Sequence, residues 1–99
     1  MVVHVVVWRV AAKGQAERAA ATAENGAMLE TLPGLVPGIR GFEVGVNALP
    51  GDNAGDVMVR ASFADWPALG AYGTHPEHVK VAARIGELTA ERRSVDYEA

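Results

Sequence analysis

The chain contains no cysteine, few aromatic residues and only a slight excess of one charge sign. Without cysteine there is no disulfide, no thiolate nucleophile and no cysteine-ligated zinc or iron–sulfur centre. The net charge of −3 argues against a nucleic-acid partner, because a phosphate-binding domain carries a basic excess. The remaining composition, 49% apolar over 99 residues, is typical of one globular domain covering residues 1–99.

The sequence also lacks a long hydrophobic run. Spanning a bilayer takes about 20 consecutive apolar residues, and the most apolar stretch, Val2–Val10, is interrupted by His4 and Arg9. No basic leader precedes it, so we expect no signal peptide and no membrane partner, and a cytoplasmic location is the default. The glycines form no phosphate-binding motif, so the sequence implies no nucleotide or other cofactor.

The first segment, Val2–Val10, consists almost entirely of β-branched or aromatic residues and therefore predicts a strand. His4 and Trp8 share one face of this strand, and Val5 and Val7 lie on the other. Both faces are apolar, whereas a chain of this length has only enough helix to cover one of them. We therefore predict a homodimer in which a second copy of the sheet covers the other face.

Hydrophobic periodicity and turn residues predict the rest of the fold. We expect a helix over 15–32, strands over 39–48 and 56–63, a short helix capped by Asp65, a longer helix over 75–90 and a last strand over 93–98. The turn at 50–55 joins the middle strands into a hairpin that places Glu43 opposite Arg60. The order β-α-β-β-α-β is the α+β ferredoxin-like plan with a four-stranded antiparallel sheet.

The first predicted helix carries a stripe of small residues. The stripe steps by three and four positions and consists of Ala16, Ala20, Ala23 and Ala27, which we expect to pack on the sheet. Asn25 and Gly26 stand inside the same helix, and an internal glycine costs about 1 kcal/mol relative to alanine. We therefore expect a weak point or kink there.

The most distinctive stretch, 71–79, lies where one helix ends and the next begins. Gly73 can end the first helix with a positive φ. Thr74 and Glu77 have the spacing of a capping box at the start of the second helix. Pro76 fits the first turn of that helix, where its missing N–H has no cost. The side chains of this stretch should therefore be held at a fixed joint.

Tyr72 and His78 at this joint are the candidate catalytic residues. Burial and a helix N-terminus both disfavour the imidazolium, so His78 should have a lowered pKa and accept a proton at neutral pH. Tyr72 could then stabilise a developing enolate. The alternative is that both side chains only fill the joint. His75 and His78 alone do not make a metal site, because a third ligand is absent, so we predict no metal.

The chain resembles the stress-responsive A/B barrel (Dabb) domain family, whose members are dimeric α+β barrels. The matching segments are His4 in the valine-rich first strand, Leu35–Ile39 before Phe42–Gly45, Ala71–Tyr72 before His75–His78, and Val95–Tyr97. The family includes heat-stable plant stress proteins and olivetolic acid cyclase, a plant polyketide cyclase. The resemblance to the cyclase implies catalytic roles for Tyr72 and His78 and a cavity-lining role for His4.

The ligand-binding candidates are His4, Trp8, Val57 and His75. Val57 stands where the cyclase has a pocket histidine, and the region of Ala27 replaces a pocket tyrosine, so the resemblance implies a different substrate. Trp8 shares the face of His4, although a core role also fits it. For His75, helping to fix the joint is the alternative to binding a ligand.

Two functions remain open at this point. The first is binding of a small hydrophobic or polyketide-like ligand between helices and sheet, with cyclase or aldol-type acid–base chemistry by Tyr72 and His78. The second is a non-catalytic stress-response or structural protein in which the dimer itself matters. Cofactor-independent monooxygenases share the broad fold, but no residue here indicates oxygen chemistry.

Overall fold

Four strands and four helices follow one another in the computed structural model, which describes residues 1–99. Their order is β1 (Val2–Val10), α1 (Gln15–Glu30), α2 (Leu32–Leu35), β2 (Gly41–Val46), β3 (Val57–Phe63), α3 (Trp66–Thr74), α4 (Pro76–Leu88) and β4 (Thr89–Glu98). The strands form one antiparallel sheet in the order β2-β3-β1-β4. The predicted ferredoxin-like α+β fold is confirmed. None of the helices has the length and apolar character needed to cross a bilayer.

The hydrophobic core lies between the helices and the inner face of the sheet. It is formed by side chains from β1, β3 and four helices, among them Val6, Trp8, Leu29, Leu32, Val59, Phe63, Tyr72 and Ile85. β1 is central because it pairs with β3 on one side and with β4 on the other. Its inward residues therefore contact both the helical layer and the cavity described below.

The opposite side of the sheet, here called the outer sheet face, consists of Val3, Val5, Val7, Gly41, Glu43, Gly45, Met58, Arg60, Ser62, Arg93, Val95 and Tyr97. Val3 is buried within the single chain, but Val7 is 38% exposed, Val95 61% and Tyr97 41%. Exposed apolar side chains thus cluster on one continuous surface, as the doubly apolar first strand led us to expect.

The buried side of α1 differs from the predicted one. The four stripe alanines are all exposed, and the buried residues are Ala21, Asn25, Gly26 and Leu29. Alanines at this density recur on several helix faces, so larger neighbours such as Leu29 decide which face packs inward. The helix is also continuous through Gly26. A Cβ there would lie 3.9 Å from Val44 Cγ1 and Val46 Cγ2, which shows how closely α1 approaches β2.

The hairpin of β2 and β3 has the predicted register, with Glu43 directly opposite Arg60, although the two side chains form no ion pair. Asp56 anchors the end of its loop. The Asp56 carboxylate accepts hydrogen bonds from the Val10 N–H at 2.8 Å and from Arg18 Nη2 at 2.7 Å. These contacts fasten the loop to the end of β1 and to α1.

The joint between α3 and α4 is capped differently from the prediction. α3 continues through Gly73 to Thr74, and the only glycine with a positive φ is Gly38, at 92°. The Thr74 hydroxyl donates to the Gly70 carbonyl at 3.2 Å rather than capping the next helix. The predicted helix end at Gly73 and the predicted capping box of Thr74 and Glu77 are therefore wrong, because α3 continues past Gly73.

His75 is the residue that caps α4. It is the first extended residue after α3, and its Nδ1 accepts a hydrogen bond from the Glu77 N–H at 3.1 Å. Pro76 follows at the start of α4, as predicted. The joint is fixed as expected, but an imidazole supplies the cap.

β4 begins at Thr89, four residues before the predicted start at Arg93. Its register with β1 shifts between Arg9 and Val10, which leaves Ala90 without a partner in a β-bulge. Beyond the bulge, Arg92 lies opposite Trp8 and hence on the inner face of the sheet. The early start of β4 therefore brings charged residues to the edge of the core.

Candidate functional site

A cavity of about 220 Å³ lies between the inner face of the sheet and α4. Sixteen residues from both layers line it: His4, Val6, Trp8, Leu29, Leu32, Val59, Tyr72, His78, Val81, Ala82, Ile85, Gly86, Thr89, Ala90, Glu91 and Arg92. The apolar stripe of α4 faces this space because that helix is amphipathic and packs its apolar side toward the sheet. The structure thus provides a partly open cavity that includes polar groups.

Tyr72 lies at the centre of an aromatic cluster and is only 2% exposed. Its ring centroid is 4.4 Å from that of His78, 5.1 Å from that of Phe63 and 6.1 Å from that of His4. Burial raises the pKa of Tyr72 to about 12, against an opposing effect of the Arg92 charge. The phenol is therefore a neutral hydrogen-bond donor at physiological pH, and none of the side-chain hydrogen bonds in the chain uses it.

His78 is held in a defined tautomer. Its Nδ1 lies 3.0 Å from the Gly73 carbonyl oxygen, and because a carbonyl only accepts, Nδ1 carries the proton. In the neutral ring Nε2 is then left with a free lone pair. Burial lowers the pKa of His78, the bond to Gly73 opposes this, and nearby positive charge, including that of Arg92, adds to the lowering. The ring is therefore neutral at pH 7, in the direction expected from the sequence.

His4 forms a pair with Asp96 across two neighbouring strands. The two residues are directly opposite each other on β1 and β4, and His4 Nδ1 contacts the Asp96 carboxylate. The carboxylate accepts from the imidazole, which orients the ring edge-on toward Tyr72. Sequence reasoning assigned no role to Asp96, although the alternation of the last strand places it on the face opposite that of Val95 and Tyr97.

The structure brings four of the six candidate residues together. Tyr72, His78, His4 and Trp8 all line the cavity. Val57 lies opposite Trp8 but is packed in the core outside the cavity lining, and His75 caps α4 outside it as well. No group of three or more His, Asp or Glu side chains is placed to hold a metal ion.

Arg92 and Glu91 are cavity residues that sequence reasoning missed. The predicted last strand began after them, and a bulge cannot be located from the alternation of so polar a segment. The one available signal was strand alternation. Arg92 and Asp96 are an even number of positions apart, so they lie on the same face of the strand, opposite that of Val95 and Tyr97.

The sequence model of the stress-responsive A/B barrel domain family matches residues 2–99. The chain belongs to this family. Among solved structures, a dimeric ferredoxin-like protein of unknown function from Bacteroides fragilis is similar, with 29% identity and a TM-score of 0.88. That likeness covers 99% of this chain and 95% of the other.

Two further structures share the fold of this Dabb-family chain at lower identity. A dimeric ferredoxin-like protein of unknown function from Thermobifida fusca is 20% identical, with a TM-score of 0.82 and coverage of 99% and 90% of the two chains. Hydroxynitrile lyase from Passiflora edulis is 14% identical, with a TM-score of 0.78 and coverage of 97% and 90%. No protein of curated function matches the chain in sequence.

Proposed function

We propose that this Dabb-family protein binds a small carbonyl compound in its cavity and performs acid–base chemistry on it with Tyr72 and His78. The observation that carries the proposal is the juxtaposition of a neutral imidazole, whose Nε2 is free, with a buried phenol, their rings 4.4 Å apart. Both groups line the same cavity. A base and a hydrogen-bond donor are the two groups that proton abstraction next to a carbonyl requires.

The proposed chemistry is an aldol-type cyclisation. His78 Nε2 removes a proton from the carbon beside a carbonyl, while the Tyr72 hydroxyl donates a hydrogen bond to the oxygen that becomes the enolate. The enolate carbon then attacks a second carbonyl in the same molecule, and the His78 imidazolium returns the proton to the new alkoxide. The raised pKa of Tyr72 suits this role, because the phenol stays protonated.

The cavity volume limits the ligand. Ligand pockets usually measure roughly 300–1,000 Å³, whereas an apolar cavity of about 150 Å³ already holds benzene. A space of about 220 Å³ is therefore suited to a single ring with a short substituent or to a short chain. The structural neighbour named as a hydroxynitrile lyase indicates that the same fold can host an enzyme.

The three histidines supply the test of this proposal, because two of them line the cavity and one does not. Acetophenone, a single-ring ketone, is titrated into the protein while the ring resonances of all three histidines are followed by NMR. We expect saturable shifts of His4 and His78 and an unchanged His75. Absence of saturable shifts, or equal shifts of all three rings, would contradict binding in the cavity.

We also propose that the protein is a homodimer whose outer sheet faces pack together. The proposal is supported by the exposed apolar side chains of Val7, Val95 and Tyr97 and by the dimeric description of two similar structures. Such a dimer is also the basis of the second candidate function, that of a non-catalytic stress-response or structural protein. The small volume of the cavity favours this alternative. A cytoplasmic location stays a prediction.

A further inference from the structure

Arg92 is a cation at the cavity that forms no ion pair with an acidic side chain. It lies on the inner face of β4 opposite Trp8 and lines the cavity with Tyr72 and His78. None of the five ion pairs in the chain includes it. Arg92 is an exposed residue beside this partly open cavity. Its unpaired guanidinium is an available anion ligand, because its planar fork of donors matches a carboxylate.

The acidic groups nearest Arg92 form no ion pair with its guanidinium, although Glu91 balances its formal charge in the cavity lining. Asp96, on the same strand face, is engaged by His4. Glu91 is the only acidic residue of the cavity lining. Burial is the larger influence on the pKa values of Tyr72 and His78, but the Arg92 charge lowers both, so its field reaches the two candidate catalytic groups.

We propose that Arg92 binds the carboxylate of a small organic acid, which makes carboxylate-bearing carbonyl compounds the substrate class of this cavity. This inference rests on the function proposed above and adds the charge of the ligand to it. The carboxylate sits at Arg92 on β4, and the rest of the molecule extends toward Tyr72 and His78. A benzoate-sized acid is compatible with a volume of about 220 Å³.

Benzoate and benzamide provide a matched pair of probes, because they have nearly the same shape and differ in charge. We expect isothermal titration calorimetry at low salt to show at least about tenfold tighter binding of benzoate, as is usual for charge-assisted hydrogen bonds. Arg92→Leu should remove this preference and keep benzamide binding, and Arg92→Lys should restore part of it. Arg40→Leu, at an exposed loop position, is the control and should behave as the wild type.

The outcomes separate this inference from the function on which it rests. Equal affinity of the wild type for both probes, together with saturable acetophenone shifts at His4 and His78, would overturn the role of Arg92 and leave the cavity proposal intact. Retention of the benzoate preference in Arg92→Leu would also overturn it. Failure of all three probes to bind would overturn both proposals.

Discussion

His78 and Tyr72 are neighbours in the cavity, and burial acts on their pKa values in opposite directions. It lowers the pKa of His78 and raises that of Tyr72 to about 12. Burial disfavours the charged form of each group, which is a cation for histidine and an anion for tyrosine. Both side chains are therefore uncharged over a wide pH range, and this state is the one that proton abstraction from a neutral ketone requires.

The first prediction concerns the titration of His78. The unfolded chain binds a proton with a pKa near 6.5, and the folded chain binds it only at lower pH. Stability should therefore decrease as the pH falls below about 6.5, and this contribution should level off below the folded-state pKa. Urea unfolding at a series of pH values should show that His78→Gln weakens this dependence. A folded-state NMR midpoint of His78 at or above 6.5 would contradict the effect of burial.

The second prediction concerns Tyr72 in alkali. Its folded-state pKa of about 12 lies above the unfolded value of about 10, so stability should be lost as the pH rises above 10. At pH 11 the expected loss is about 1 kcal/mol. Urea unfolding between pH 9.5 and 11 should show this slope in the wild type and in Tyr97→Phe but not in Tyr72→Phe. The same slope in all three proteins would contradict the assignment.

The sequence identified His78 and Tyr72 as candidate site residues but did not identify Asp96 and Arg92. The neutral state of His78 followed from its place near a helix start, because burial and the helix terminus act locally. The partner of His4 lies on a strand at the other end of the chain, so only the pairing of β1 with β4 identifies Asp96. Arg92 escaped prediction because the predicted last strand began one residue after it, whereas β4 begins at Thr89.

At the scale of elements, His75 links the two helices that present Tyr72 and His78. Its Nδ1 accepts the Glu77 N–H, so His75→Ala should destabilise the protein by about 1 kcal/mol, which is typical of a lost N-cap. His75→Asn should retain most of the stability because asparagine is also a good cap. Urea unfolding measures both. If the two variants are equally destabilised, His75 does not act through capping.

The order and type of the elements were predictable because strands and helices here have different periods. β1 has the predicted bounds, and the hairpin register places Glu43 opposite Arg60. The errors arose where propensity competes with tertiary packing. Gly73 remains helical although glycine often ends helices, and the alanine stripe of α1 faces solvent because alanine does not specify a buried face.

At the scale of the whole molecule, the outer sheet face predicts the oligomeric state. Sedimentation at micromolar concentration should give twice the chain mass of 10.4 kDa. Val95→Arg should shift the protein toward a monomer, because a charge on this face cannot be buried without a partner. Val79→Arg, at an exposed position of α4, is the matched control and should stay dimeric. A monomeric wild type would contradict the proposed packing.

Exchange of the methyl protons of acetophenone in D₂O, followed by NMR, tests the proposed chemistry most directly. General acid–base catalysis typically accelerates such a step by about 10²- to 10⁴-fold, so the wild type should exceed the buffer rate clearly and show saturation. His78→Ala should abolish the acceleration, Tyr72→Phe should reduce it, and His75→Asn should retain it. Exchange no faster with the protein than in buffer, or the same in all four proteins, would contradict a catalytic role for this pair.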